Sequence, residues 1–184
     1  MSRPEAANQD VQEYMATENP IVDVWSSIEV NTEKPDLANA DENLFGKFYN
    51  DRIEFHIIDE PDIQLHDAEV SKITLYYIDG VLCRKKYELD RAIADELAIK
   101  YGAVSYKSLN HATDSLAREM GIVLSSANGN RFNPYLKKYQ LRWKLSDMSI
   151  YFLHEEDSTA VINQYIEEMV EYRQLYKSVQ KELI

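Results

Sequence analysis

The strongest constraint on this chain is a turn. Asp79-Gly80 separates two runs rich in β-formers, Ile73–Ile78 and Val81–Leu89. Asp-Gly readily supplies the two positive-φ positions of a type I′ turn, so the runs are predicted to close as a two-residue hairpin. The turn then sets the register: Ile78 opposite Val81, Tyr77 opposite Leu82, Tyr76 opposite Cys83, and Leu75 opposite Arg84. One face carries Ile73, Leu75, Tyr77 and Leu82, with Arg84 and Lys86. The other carries Tyr76, Ile78, Val81, Cys83 and Tyr87, with Lys85. Both faces are apolar near the turn, which predicts cover on both sides of the sheet there.

An isolated hairpin is marginal in water, so further elements must pack on it. Tyr139, Leu141, Trp143 and Leu145 alternate with Gln140, Arg142 and Lys144, the pattern of a half-buried strand. Ser146-Asp147 turns that strand into Ser149–His154, a second hairpin. Phe45–Ile58 is a further β-rich run, in which Ile53, Phe55 and Ile57 alternate with a solvent-side Glu54 and His56. Asp90 is expected to cap a helix of about three turns, with Ile93, Leu97 and Tyr101 on one face and Gly102 ending it. A shorter helix is expected within Ser108–Met120, and a loop over Ser126–Pro134.

Asp157-Ser158 is expected to cap a long C-terminal helix from Thr159 to Glu182. Ile162, Tyr165, Met169, Tyr172, Tyr176, Val179 and Leu183 recur at alternating spacings of three and four along it. That stripe either packs on the sheet or, in its distal half, pairs with another chain, which would make a homo-oligomer through this helix. The expected architecture is α+β: an antiparallel sheet of four to six strands, including two hairpins, against two main helices. Residues 1–43 read as an acidic, loosely attached arm with Trp25 as its anchor, and residues 44–184 as one domain.

Charge and composition narrow the function. The 184 residues carry a net charge of −12, and 45% are apolar, enough for one real core. Residues 1–45 hold two basic and ten acidic residues; residues 46–184 hold 18 and 22. Such a surface repels phosphate backbones and anionic membranes and suits a basic protein partner, so no nucleic acid is expected. One cysteine excludes a disulfide framework within the chain and any multi-cysteine metal site. No apolar run approaches the roughly 18 residues of a membrane span. The opening Met-Ser-Arg-Pro-Glu has no apolar leader core. That fits a cytoplasmic protein, or a periplasmic or lipid-anchored one whose leader was removed.

Catalytic signatures are sparse. Glycine-rich phosphate loops, a Gly-X-Ser-X-Gly elbow, His-Glu-X-X-His and EF-hand loops are all missing from the sequence. Cys83 lies beside Arg84, Lys85 and Lys86, and cations can activate a thiol; a small core residue is the competing reading. Glu54 and His56 share one strand face, as an acid–base pair or as solvated side chains. His154-Glu155-Glu156-Asp157 could hold a hard cation, or simply favour the positive end of a following helix. Arg131, Lys137, Lys138, Arg142 and Lys144 interleave with Phe132, Tyr135, Tyr139 and Trp143, as single-strand binding requires. Alternation, however, sends Tyr139 and Trp143 one way and Arg142 and Lys144 the other. Thirteen tyrosines suit a binding face.

The leading expectation is a non-enzymatic protein-binding module, without cofactor or metal, that recognises its partner through Trp25, Tyr172 and Tyr176. The alternative is a small hydrolase or thiol enzyme using Cys83 or Glu54/His56. The segments Ile73–Gly80 (ITLYYIDG), Lys100-Tyr101-Gly102 and Tyr139–Trp143 (YQLRW) resemble a class of small α+β domains of exported or lipid-anchored bacterial proteins, over roughly residues 70–155. The resemblance implies an envelope-associated binding role and brings no catalytic residues.

Overall fold

The structure, a computed structural model, describes residues 28–36, 42–102, 105–108 and 137–182. Its elements are β1 (Leu44–Phe48), β2 (Ile53–Asp59), β3 (Gln64–Leu65), β4 (Ala68–Ile78), β5 (Val81–Leu89), α1 (Ala94–Tyr101), β6 (Ser105–Ser108), β7 (Lys138–Lys144), β8 (Met148–Glu156), β9 (Val161–Met169) and α2 (Tyr172–Lys181). Eight strands pair antiparallel in the order β1-β2-β4-β5-β9-β8-β7-β6, and the two-residue β3 pairs with the start of β4. Among the described residues the molecule is therefore mostly β, with two short helices. This overturns the expected sheet of four to six strands packed on two main helices.

Tight turns build the first half. Asp79 and Gly80 both take positive φ, as predicted. His66 and Asp67 do the same between β3 and β4, and Tyr49, Asn50 and Asp51 do so in the four-residue connection that splits the run Phe45–Ile58 into β1 and β2. Asn and Asp tolerate this left-handed conformation better than most residues.

The β4–β5 register begins as predicted and then slips. Ile78 faces Val81 and Tyr77 faces Leu82, but Tyr76 faces Arg84 and Leu75 faces Lys85. Cys83 is the extra residue of a β-bulge, and every side chain beyond it changes face. Lys85 and Tyr87 thereby join Leu75 and Ile73 on one side, while Arg84 joins Tyr76 on the other.

The predicted C-terminal helix is also corrected. Val161–Met169 is a strand, paired on both sides with β5 and β8, and only Tyr172–Lys181 is helical. Asp157 does make the hydrogen bonds of an N-cap, accepting from the Thr159 and Ala160 amides at 2.7 and 2.9 Å. The chain there turns back as a hairpin instead, and the Asp157 amide bonds the Ala160 carbonyl. Farther upstream, α1 spans only Ala94–Tyr101, and Asp90 does not cap it; its carboxylate accepts the Glu69 amide. Ser108 ends β6, and the rest of the helix expected within Ser108–Met120 lies outside the described residues, as does the loop expected over Ser126–Pro134.

The two helices pack on opposite faces. On the α1 face, Ile73, Leu75, Tyr77, Leu82, Ile93, Leu97, Leu141, Trp143, Ile150 and Phe152 form one buried cluster. On the α2 face, Ile53, Ile78, Cys83, Tyr172 and Val179 form a smaller one. Residues 31–34 run beside β5 past the end of β9: Leu82 exchanges backbone hydrogen bonds with Asn31 and Thr32, and the Lys34 amide bonds Gly80. Among the described residues no helix is long and apolar enough to cross a membrane.

Candidate functional site

The aromatic residues of the α2 face form a continuous ladder of rings. Phe48 meets Phe55 at 5.3 Å between centroids, Phe55 meets Tyr76 at 5.1 Å, and Tyr76 meets Tyr172 at 6.3 Å. Tyr172 then meets Tyr176 at 5.9 Å, and Tyr176 meets Tyr49 at 6.3 Å. Register explains the first steps, because Phe55 lies opposite Tyr76 and Ile53 opposite Ile78. Helical spacing explains the next, because Tyr172, Tyr176 and Val179 share one face of α2. Phe48 reaches the ladder by lying over Gly46, where an added Cβ would stand 3.0 Å from the ring.

The ladder is graded in exposure. Tyr172 is buried beneath α2, while Tyr76, Tyr49, Tyr176 and Phe55 are half-buried. Phe48 is 41% exposed, and Phe45 beside it on β1 is 68% exposed. Burial pushes the Tyr172 hydroxyl up to about 12, against the opposing pull of Arg84. The Arg84 guanidinium stacks on Tyr76 and Tyr172 at 4.9 and 5.5 Å. Its Nε lies 3.5 Å from Glu168, a buried carboxylate that also meets Arg173 at 3.4 Å. These ions fix the inner end of the ladder, and among the described residues its outer end at β1 is exposed.

The α1 face carries a different chemistry at its centre. Lys85 lies opposite Leu75 on one side and Glu167 on the other, and is 3% exposed. Its Nζ donates to the Ile28 carbonyl at 2.9 Å. Desolvation lowers its pKa, while Glu167 and Glu29 oppose that shift. The Tyr165 hydroxyl donates to Glu167 at 3.0 Å and lies 3.3 Å from the Tyr101 hydroxyl. Burial holds the Tyr87 and Tyr165 hydroxyls well above the usual phenol range. Two strands away, Glu54 accepts from Lys34 at 2.7 Å and lies 3.2 Å from Nε2 of the fully buried His56. Burial raises the Glu54 carboxyl, but Lys34, His56 and Lys47 outweigh it, and the net shift is downward. Segment 28–36 thus reaches both polar groups, through the Ile28 carbonyl at Lys85 and through Lys34 at Glu54.

The sequence-derived candidates fall as follows. Tyr172 and Tyr176 are brought together with Tyr76 and Tyr49, facing the sheet; Trp25 lies outside the described residues. Glu54 and His56 do meet, but on the core face rather than in solvent. Cys83 is 1% exposed in the cluster beneath α2, and burial pushes its thiol up to about 11, the reverse of what a nucleophile needs. The stretch His154–Asp157 largely disperses: His154 bonds Asn163 and lies 4.0 Å from Glu156, Glu155 pairs with Lys138, and Asp157 closes its turn. Tyr139 and Trp143 enter the core while Arg142 and Lys144 stay exposed, as alternation requires; Arg131, Phe132 and Tyr135 lie outside the described residues.

Phe48, Phe55 and Tyr76 were not singled out from sequence. The signal was the Asn50-Asp51 turn, which sets Phe48 and Phe55 near each other across β1 and β2. The Lys85–Glu167 pairing was hidden because β9 reads as helix.

No family model, no curated protein and no solved structure matches the chain.

Proposed function

We propose that this chain is a non-enzymatic protein-binding module whose contact surface is the aromatic ladder where it runs out to β1. The observation that carries this reading is the unbroken series of ring contacts ending in the exposed Phe48, with Phe45 alongside. Rings held on a rigid sheet present large area at little entropic cost, which is why aromatics dominate binding hot spots. Exposed apolar groups at a sheet edge are otherwise a liability, so a role in binding accounts for their presence. The net charge of −12 favours a basic partner by steering. An envelope-associated setting, which the resemblance implies, belongs to the same reading.

A random-peptide library panned against the immobilised full chain tests it. Enriched peptides should bind wild type and lose at least about tenfold in affinity on Phe48→Asp, the loss of one hot-spot ring. Failure to enrich any sequence, or enrichment indifferent to Phe48→Asp and Phe45→Asp, overturns the proposal.

A further inference from the structure

Resting on that reading, we infer that the partner docks as an extended, basic strand added to the free edge of β1. Three observations converge on this mode.

The first is backbone. β1 ends the sheet order, and among the described residues it pairs only with β2. An antiparallel ladder leaves alternate N–H and C=O groups of its outer strand pointing away from the sheet. The bulge at Phe45 leaves Gly46–Phe48 as the regular part of this edge, enough to seat the middle of a short strand.

The second is apolar exposure at that edge. Edges are commonly guarded by short length, bulges, lysine or proline. β1 is short, bulged at Phe45 and carries Lys47, which stands 3.6 Å from Glu54. Even so, it presents Phe45 and Phe48, 68% and 41% exposed. These rings supply apolar contacts for the side chains of an added strand, as strand-addition sites do.

The third is charge. Glu42 stands two residues before β1, and Asp51 follows it in the turn; both are exposed. A second copy paired edge to edge would bring like charges together, whereas a strand with basic ends meets carboxylates at both.

The test uses the full chain and a labelled synthetic peptide, Lys-Thr-Val-Thr-Phe-Thr-Val-Thr-Lys. Three relatives accompany it: a glutamate-ended analogue, and two copies N-methylated on opposite strand edges. The parent should bind and slow amide exchange in residues 44–48. The glutamate-ended form should bind at least about tenfold more weakly. Only one of the two methylated copies should lose binding, because only one edge faces β1. Failure of the parent to bind, equal binding by all four, or protection away from β1 overturns strand addition. If library peptides still require Phe48 while these results fail, the binding-module reading stands alone; if neither set depends on Phe48, both fall. Concentration-dependent dimerisation that protects β1 without peptide gives the edge to a second copy and also overturns the inference.

Discussion

The two faces of the sheet use the same residue types for opposite ends. On the α1 face Tyr77, Tyr87 and Tyr165 are buried to 5% exposure or less, and their hydroxyls are desolvated. On the α2 face Tyr49, Tyr76 and Tyr176 keep part of each ring in water. Lysine and arginine divide likewise: Lys85 is closed in by segment 28–36, while Arg84, its neighbour in sequence, stacks between two rings. A single bulged residue, Cys83, separates these two environments. The comparison teaches that the α1 face buries its tyrosines fully, whereas the α2 face, covered among the described residues by a ten-residue helix, keeps rings partly in water, the surface that the proposed binding reading uses.

The sharpest break of that comparison is Trp143→Ala. It empties a fully buried site and removes the indole bond to the Gly102 carbonyl at 3.1 Å. Unfolding in urea should show a loss of about 3–5 kcal/mol, as for other buried aromatics truncated to alanine. A smaller effect is expected from Arg84→Met. Glu168 keeps Arg173, which is largely exposed, so a loss of roughly 1–3 kcal/mol should appear in the same assay. Lys85→Met acts locally. It removes the anchor of Ile28, so the amides of Asn31 and Leu82 should exchange faster while the remainder of the sheet is unchanged.

The smallest effect concerns Asp157. Its carboxyl is held at about 2, chiefly by the Thr159 side chain and the Thr159 and Ala160 amides, below an ordinary 3.8. A depressed carboxyl stabilises the fold fully above 3.8, and that contribution is lost as pH falls through about 2. The melting-temperature gap between wild type and Asp157→Ala should therefore be full above pH 3.8 and close on acidification through pH 2.

Local chemistry was legible where it acts locally. The Asp79-Gly80 turn, the start of the β4–β5 register and the alternation of Tyr139, Leu141 and Trp143 all follow from neighbours in sequence. The bulge at Cys83 was not, because nothing near it in sequence demands an extra residue; the two-sided packing of Lys85 and Arg84 does. β9 was missed for a related reason. Gln164, Glu167, Glu168 and Met169 are good helix formers, and the stripe through Ile162, Tyr165 and Met169 fits a helix as well. Pairing with β5 and β8 overrides that propensity and buries Asn163 and Glu168 with partners that sequence spacing does not reveal: His154 for one, Arg84 and Arg173 for the other. The ladder shared this fate, since three of its contacts cross between strands or from strand to helix.

The central pairing of β5 with β9 has a consequence for how the chain is made. Every other main-ladder neighbour is joined through the chain in order, but the partner of Arg84–Glu88 is Gln164–Glu168. A ribosome that has just finished β5 needs on the order of several seconds to deliver β9, at typical elongation rates. Throughout that interval the stretch Arg84–Glu88, beyond the part of β5 that residues 31–34 line, waits for its partner. The Arg84-Lys85-Lys86 triplet at its start is a run of like charges of the kind that breaks up wrong pairings, and in the finished sheet Glu168 and Glu167 lie opposite Arg84 and Lys85.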